Sequence, residues 1–192
     1  MATFVSCSVI DNLAQYSVPG FSIGHGTVNQ GVNVPLGGTD LQDGDIQSAL
    51  WSALTSNPPL LPAPNANSLY VAFLSAGVSV TGPGIGKSCT GHCGYHAAMN
   101  NQIPYVVMPW LDCGPCHPNG LAPFDAVTAS TSHEICEAVT DPFTSPPSKV
   151  SWQDPNGDEI ADKCSATTVP YRVDGTPYYV ARIWSNGSNS CV

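Results

Sequence analysis

The chain has 192 residues, of which 42% are hydrophobic and only 10% are charged. It carries 5 Lys and Arg against 14 Asp and Glu, which gives a formal net charge of −9. A surface this acidic repels phosphate backbones and argues strongly against nucleic acid as a partner. No apolar run approaches the about 18 residues that a membrane span needs.

A chain of this length can bury a core without a partner. We therefore expect a monomer that folds as a single domain over residues 1–192, with two halves at about 1–125 and 126–192. The 18 Gly and 18 Pro indicate a fold rich in loops and turns.

Eight cysteines in a chain with few lysines favour an oxidising, extracellular setting. No signal peptide is visible at the start, so secretion would require its earlier removal. The segments Cys89-x3-Cys93 and Cys113-x2-Cys116 also have nearly the spacing of a zinc ribbon, which is an alternative to disulfides. The second segment is a thioredoxin-type dithiol sequence, but the following His117-Pro118 cannot begin the helix that such chemistry needs.

The first half of the chain contains four predicted elements. Short alternating runs within residues 1–40 predict short strands and turns. Asp43 to Leu54 predicts a helix, because its apolar residues recur at helical spacing. Leu69 to Leu74 predicts a buried strand, which can extend through Val80. Ile103 to Trp110 predicts a second strand, and its two prolines place it at a sheet edge.

The second half begins with a predicted helix from Ala126 to about Thr140. Asp125 can cap its start, and Asp141-Pro142 ends it, because the residue before a proline is pushed out of the helical region. Two predicted strands follow, at Val169 to Val173 and Pro177 to Trp184.

The predicted helix contains the sequence His-Glu-Ile-Cys-Glu from His133 to Glu137. His133 and Glu137 are four residues apart and share one helical face. This is the spacing of the H-E-x-x-H zinc motif with Glu in place of the second His, and zinc accepts carboxylate oxygen readily. Glu134 stands where zincins have the residue that deprotonates a metal-bound water. An ordinary solvated amphipathic helix is the alternative.

The order of helix, strand, edge strand and H-E helix matches the N-terminal half of a zincin. We therefore expect an α+β fold: a single zincin-like domain with a small mixed sheet, an active-site helix and a loop-rich, disulfide-stapled C-terminal half.

The acidic segment over residues 152–164 is expected to supply a third zinc ligand. Asp162 is the preferred candidate and Glu159 the alternative. Asp141 can also ligate, but its place at the helix end favours a capping role. The segment further resembles an imperfect calcium loop, because carboxylate or amide groups stand at loop positions 1, 3, 5 and 9. These groups are those of Asp154, Asn156, Asp158 and Asp162.

Several short blocks within residues 65–192 resemble the phosphate-induced protein 1 / Exordium family. They are Ser68-Leu69-Tyr70-Val71, Cys89-x3-Cys93-Gly94-Tyr95-His96, Pro109-Trp110 with Cys113-Gly114-Pro115-Cys116, Thr140-Asp141-Pro142-Phe143, and Cys164 with Tyr178 to Cys191. Plant members are secreted cell-wall proteins without a settled enzymatic activity. Microbial relatives resemble this chain in the His-Glu-x-x-Glu helix and in the later Glu159 and Asp162. The six cysteines of these blocks are the disulfide candidates: Cys89, Cys93, Cys113, Cys116, Cys164 and Cys191.

The resemblance implies a secreted protein with a zincin-type site, and the Gly-Tyr-His block can bring His96 to that site. His96 would then act as a donor to the transition state or as a ligand in place of a carboxylate; a structural role is the alternative. Our hypothesis is a zinc metallopeptidase in which Glu134 is the general base and an extended peptide pairs with the strand at Ile103 to Trp110. The second hypothesis is a non-enzymatic extracellular interaction protein with a structural metal. A glycosidase is a weaker third, because Glu134 and Glu137 share one helical turn and cannot flank a sugar.

Overall fold

A computed structural model describes residues 10–29, 31–117, 120–143, 152–165, 167–173 and 175–192. The described chain is mixed α+β, with small sheets, two α-helices and three disulfides. Helix α1 spans Asp43–Thr55 and helix α2 spans Pro123–Thr140. Short 3-10 helices lie at Asn12–Tyr16, Gly114–Cys116 and Asp162–Cys164. No helix in these ranges is long and apolar enough to cross a membrane.

Ten short strands form four small sheets within the described residues. In chain order the strands are β1 Asp40–Gln42, β2 Tyr70–Phe73, β3 Ser79–Gly82, β4 Gly86–Lys87, β5 Tyr95–Met99, β6 Ile103–Met108, β7 Thr168–Val173, β8 Thr176–Ala181, β9 Trp184–Ser185 and β10 Ser190–Cys191. Both predicted helices are present, and β7 matches the predicted strand at Val169 to Val173. The strand predicted from Pro177 to Trp184 is shorter, since β8 ends at Ala181 and Trp184 belongs to β9. The predicted strand at 69–74 does not continue through Val80, because a turn separates β2 from β3. In the described part of 1–40 we find a 3-10 helix, β1 and a bridge between Val18 and Phe21 in place of several strands.

The strand predicted from Ile103 to Trp110 is present as β6, but the prediction that it lies at a sheet edge is wrong. Strand β6 is the middle strand of its sheet, parallel to β2 and antiparallel to β5. Its two prolines are compatible with this position, because neither of them lies opposite a residue of β2. Pro104 faces Ala98 of β5, while the pairing with β2 begins one residue later at Tyr105, and Pro109 follows the end of the strand. Strand β5, which the sequence analysis did not predict, is an edge strand of this sheet.

The first core lies between this sheet, the β1–β3–β4 sheet and α1, and it buries Ile46, Val80 and Val107 among others. A polar contact at its border involves Asp43, at the start of α1. The hydroxyls of Tyr95 and Tyr105 donate hydrogen bonds to Asp43 Oδ1, at 2.7 and 2.8 Å. These bonds attach the beginning of α1 to β5 and β6 and satisfy two largely buried hydroxyls.

Helix α2 is buried on most of its surface, and twelve of its 18 residues are buried. It begins with Pro123 at the first helical position, where the missing N–H costs nothing. It therefore starts three residues earlier than predicted, with Asp125 in its first turn and not at the cap. On one side Ile135 and Ala138 pack against Val106 of the central strand β6.

On its other side α2 packs against the C-terminal half of the chain. Cys136 lies in a second core with Ile160, Val180 and Ile183. The backbone N–H of Ala181, at the end of β8, donates to Ser132 Oγ at 2.7 Å in a buried contact. The helix is thus held between the central sheet and the β7–β8 hairpin, which gives its polar residues fixed positions.

Six cysteines form disulfides, in the pairs Cys89–Cys113, Cys93–Cys116 and Cys164–Cys191. All six disulfide candidates are therefore paired. The zinc-ribbon and dithiol alternatives are wrong, because both use sulfurs that are already bonded to other sulfurs. Cys136 is buried and forms no disulfide with any described cysteine, and Cys7 lies outside the described residues. Three disulfides are typical of an extracellular or oxidising environment.

Candidate metal centre

One face of α2 presents the first two predicted ligands together. His133 Nε2 lies 3.1 Å from Glu137 Oε2, as the i, i+4 spacing requires. The Glu137 side chain is only 3% exposed and that of His133 is 19% exposed. Both groups are largely removed from bulk water, which is the setting in which a metal ligand or a strong ion pair is expected.

Asp162 approaches the same imidazole from the 3-10 helix Asp162–Cys164. Its Oδ1 lies 3.3 Å from His133 Nε2, and its backbone N–H donates to Glu137 Oε1 at 3.2 Å. One ligand atom from each of His133, Glu137 and Asp162 lies within 4.8 Å of the other two. Ligand atoms around a tetrahedral zinc ion are roughly 3.3 Å apart, because the zinc bonds are about 2.0–2.2 Å long. The three predicted ligands therefore lie at separations that suit a zinc ion.

A second group of ligand atoms adjoins the first. His96 on β5 places its Nε2 3.3 Å from Glu159 Oε2. One ligand atom from each of His96, Glu159 and Glu137 again lies within 4.8 Å of the others. From the sequence, Glu159 and His96 are alternatives to Asp162 as ligands. In the structure all three side chains line one cluster, and Glu137 belongs to both groups.

Glu134 is buried beside these groups. Burial raises the pKa of its carboxyl to about 7, and the negative charge of Glu137 adds to this, whereas His133 and His96 oppose it. A carboxyl group that titrates near neutral pH is suited to accept and return a proton.

Gly94 provides the space that Glu134 occupies. A Cβ atom at position 94 would lie 2.5 Å from Met108 Cε and 3.1 Å from Glu134 Cγ. Met108 is fully buried, so the end of its side chain must shift within a packed core to admit that Cβ. The packing role of Gly94 is not predictable from the sequence, since nothing local to the sequence shows what faces a glycine.

We expect Gly94→Ala to destabilise the protein by about 1–3 kcal/mol, the usual cost of overpacking a filled core. The matched control is Gly114→Ala, because a Cβ there meets nothing within 4 Å. Urea denaturation of both variants measures the difference. Equal free energies of unfolding for the two variants would contradict the packing role of Gly94.

The carboxylates of the cluster change the pKa values of its two histidines, His133 and His96. Burial by itself would lower the pKa of His133, but hydrogen bonds to Asp162 and Glu137 outweigh it and hold that pKa well above its usual value. Burial likewise opposes a charged His96, and the contact with Glu159 outweighs it, so the pKa of His96 is also raised. In return, the hydrogen bond to His133 lowers the pKa of Asp162. Without metal, the protein therefore compensates its carboxylates with protons on the two histidines.

The predicted calcium residues have a different role in the structure. Asp154 Oδ1 accepts hydrogen bonds from the backbone N–H groups of Asn156 and Asp158, and its Oδ2 lies 2.6 Å from Lys163 Nζ. Both oxygens of Asp154 are thus engaged within a turn, and an ammonium group stands where a cation would bind. Among the described residues, the groups of converging His, Cys, Asp and Glu atoms do not include Asp154 or Asp158. This arrangement favours a structural turn over a calcium loop.

The same turn helps to hold Asp162 in place. Lys163 follows Asp162, binds Asp154 and stacks over the Trp184 ring with its Nζ 4.7 Å from the ring centre. Cys164 ties the end of the 3-10 helix to Cys191. Asp162 is itself exposed, but the neighbouring residues Ala161 and Cys164 are buried, so the backbone on both sides of this ligand is held in place.

The amino-acid composition contains a signal for the complete cluster that did not enter the predictions above. The chain contains only three glutamates, Glu134, Glu137 and Glu159, and all three lie in this cluster. A third group of converging atoms, from Cys89, Cys113 and Cys116, consists of disulfide sulfurs and offers no free thiolate. The histidine and carboxylate cluster is therefore the candidate metal centre. Comparison of the chain with protein-family models, with curated proteins and with solved structures gives no match.

Proposed function

We propose that the protein is a secreted, zincin-like metallopeptidase that hydrolyses peptide bonds with a zinc ion held by His133, Glu137 and Asp162. The observation that carries this proposal is the convergence of these ligand atoms, together with a buried Glu134 carboxyl close enough to interact electrostatically with His133 and Glu137. The disulfides and the resemblance to secreted proteins of the Exordium family support an extracellular location.

The zinc ion, when bound, would activate a water molecule and polarise the carbonyl of the substrate. Glu134 would accept the proton of the attacking water and return it to the leaving amine, which its pKa of about 7 permits near neutral pH. His96 lies against Glu159. That carboxylate competes with a substrate oxygen for the imidazole proton, so the contact favours a ligand role over the role of a transition-state donor.

The substrate strand must be reassigned, since β6 is paired on both sides. Strand β5 carries His96 and forms one edge of the sheet among the described strands. An extended peptide that added to this edge would run beside the metal cluster, with backbone hydrogen bonds supplying affinity. We therefore assign the substrate-pairing role to β5.

Two carboxylates and one neutral imidazole would leave a zinc ion without net charge. Sites with two histidines and one glutamate leave it with one positive charge. The ion in this site would consequently be a weaker Lewis acid, and we expect modest activity or a pH optimum above neutrality.

The test is peptide cleavage with and without metal. The protein as purified is incubated with a mixed peptide library, and the products are identified by mass spectrometry. We expect cleavage that stops when a chelator removes the metal, returns on addition of zinc, and is absent in His133→Ala. Cleavage that persists in the chelated protein would contradict the metallopeptidase assignment.

The second candidate is a non-enzymatic extracellular protein in which the metal is structural. The observation in its favour is that the cluster joins separate segments, since His133 of α2, His96 of β5 and Asp162 of the C-terminal half meet there. This candidate predicts that metal removal lowers the melting temperature while the metal-loaded protein cleaves no peptide.

A further inference from the structure

The cluster contains more ligand groups than one zinc ion needs. A zinc site in a hydrolase uses three protein ligands and keeps one position open. His133, Glu137 and Asp162 already make one such set, and His96, Glu137 and Glu159 make another. Each set combines an imidazole with two carboxylates, so the two sets have the same donor chemistry.

Glu137 is the residue common to the two sets. It is 2% exposed, and a carboxylate has two oxygens and about four lone-pair positions. One oxygen faces His133 at 3.1 Å and the other accepts the backbone N–H of Asp162 at 3.2 Å, which leaves a further lone pair on each oxygen. A single carboxylate can therefore serve two cations, as in hydrolases whose two metal ions lie about 3.5–4 Å apart.

The charge of the cluster also exceeds what one ion balances. Four carboxylates surround the two imidazoles, and those of Glu134 and Glu137 are buried. One divalent cation compensates two of the four negative charges when all four are ionised. A second divalent cation compensates the other two, and the compensation matters most for Glu134 and Glu137, whose carboxylates are held away from water.

His96 provides an observation independent of the carboxylates. Its side chain is only 7% exposed, its Nε2 faces Glu159, and its Nδ1 is buried without a hydrogen-bond partner among the described residues. The Nε2 atom is thus the nitrogen placed to bind an ion together with Glu159, and it comes from a strand that supplies none of the carboxylates.

We propose that the cluster is a two-metal centre, in which His133 and Asp162 hold one divalent cation, His96 and Glu159 hold a second, and Glu137 bridges them. The inference rests on the proposed function and extends it, since both ions would serve one hydrolytic site. Oxygen-rich ligand sets of this kind accept Zn²⁺ and Mn²⁺.

The experiment measures how many ions the folded protein binds. Chelated protein is dialysed to equilibrium against Zn²⁺, and the zinc and sulfur contents are measured together by elemental mass spectrometry. We expect two zinc ions per chain in the wild type and one in each of His96→Ala and His133→Ala. His25→Ala is the matched control, because His25 is exposed and pairs with Asp11, outside the cluster, and it should keep both ions.

Mn²⁺ supplies a readout on the unaltered chain, which is needed if a variant fails to fold. Two Mn²⁺ ions that share a carboxylate are magnetically coupled, so the wild type should show a coupled EPR spectrum when fully loaded. One ion per wild-type chain with an uncoupled Mn²⁺ spectrum would overturn the two-metal centre. If that one-ion protein still cleaves peptide, the proposed function stands alone. Absence of any bound ion would overturn both proposals.

Discussion

Glu134→Gln is expected to lower kcat/KM for peptide cleavage by about 10²–10⁴-fold while leaving the metal content unchanged. The magnitude is that of a lost general acid–base. Gln has nearly the same shape, so it fits the space beside Gly94, but its amide cannot accept the proton of the attacking water. Glu134 is absent from both groups of converging ligand atoms, and its loss should therefore not release metal.

Cleavage rates and metal content should be measured on the same samples. Asp112→Asn is a suitable control, because it removes one carboxylate charge at an exposed position outside the cluster. It should retain wild-type activity. Full activity of Glu134→Gln would remove Glu134 from the mechanism, and loss of metal from this variant would show that the residue is a ligand.

The second large effect is expected in the stability of the metal-free protein, which should fall as the pH rises from about 5 to 8. The folded-state pKa of Glu134 is about 7, above its ordinary value of 4.5, because burial favours the neutral form. Its contribution to stability is therefore complete below pH 4.5 and is lost as the pH rises through 7. This loss corresponds to about 3 kcal/mol in the free energy of unfolding.

His133, His96 and Asp162 also have shifted pKa values, and each of them makes the stability depend on pH. The pKa values of His133 and His96 are raised by their carboxylate neighbours against the effect of burial. Their contribution is present below pH 6.5 and is lost as the pH rises through the folded-state values, so it adds to the effect of Glu134. The pKa of Asp162 is lowered by its hydrogen bond to His133, so its contribution is present above pH 3.8 and is lost on acidification below that value. Maximum stability without metal is thus expected near pH 4–5.

Thermal unfolding in chelator across this pH range provides the measurement. We expect the melting temperature to fall on the order of 10 °C between pH 5 and pH 8, since ~3 kcal/mol corresponds to several degrees per kcal/mol in a protein of this size. Added zinc should restore more stability at pH 8 than at pH 5, because metal binding displaces the same protons. Glu134→Gln should show a smaller fall. A melting temperature that rises from pH 5 to pH 8 without metal would contradict these shifts.

Features that depend on neighbouring residues were predictable from the sequence. Helix α2 follows from apolar spacing and from Asp141-Pro142 at its end, and the helix brings His133 and Glu137 onto one face whatever surrounds it. The α+β class and the disulfide-bonded character follow in the same way from element order and cysteine content. The zincin-like details remain a proposal.

Features that depend on distant residues required the tertiary structure. The two prolines of the Ile103 to Trp110 segment indicated an edge strand, but pairing with β2 and β5 made β6 central, and this moved the exposed edge to β5. The choice between Glu159 and Asp162 could not be made from spacing, because both approach α2 from another segment and both reach Glu137.

The sequence by itself determined the helix, the His133 and Glu137 pair and the disulfide-bonded character of the protein, because each depends on local periodicity or on composition. Only the tertiary structure decided that His96, Glu159 and Asp162 meet at that pair, that Gly94 makes room for Glu134 and that β5 is an edge strand. Those facts depend on strand pairing and on packing between segments far apart in the chain. Local sequence patterns do not encode such contacts individually.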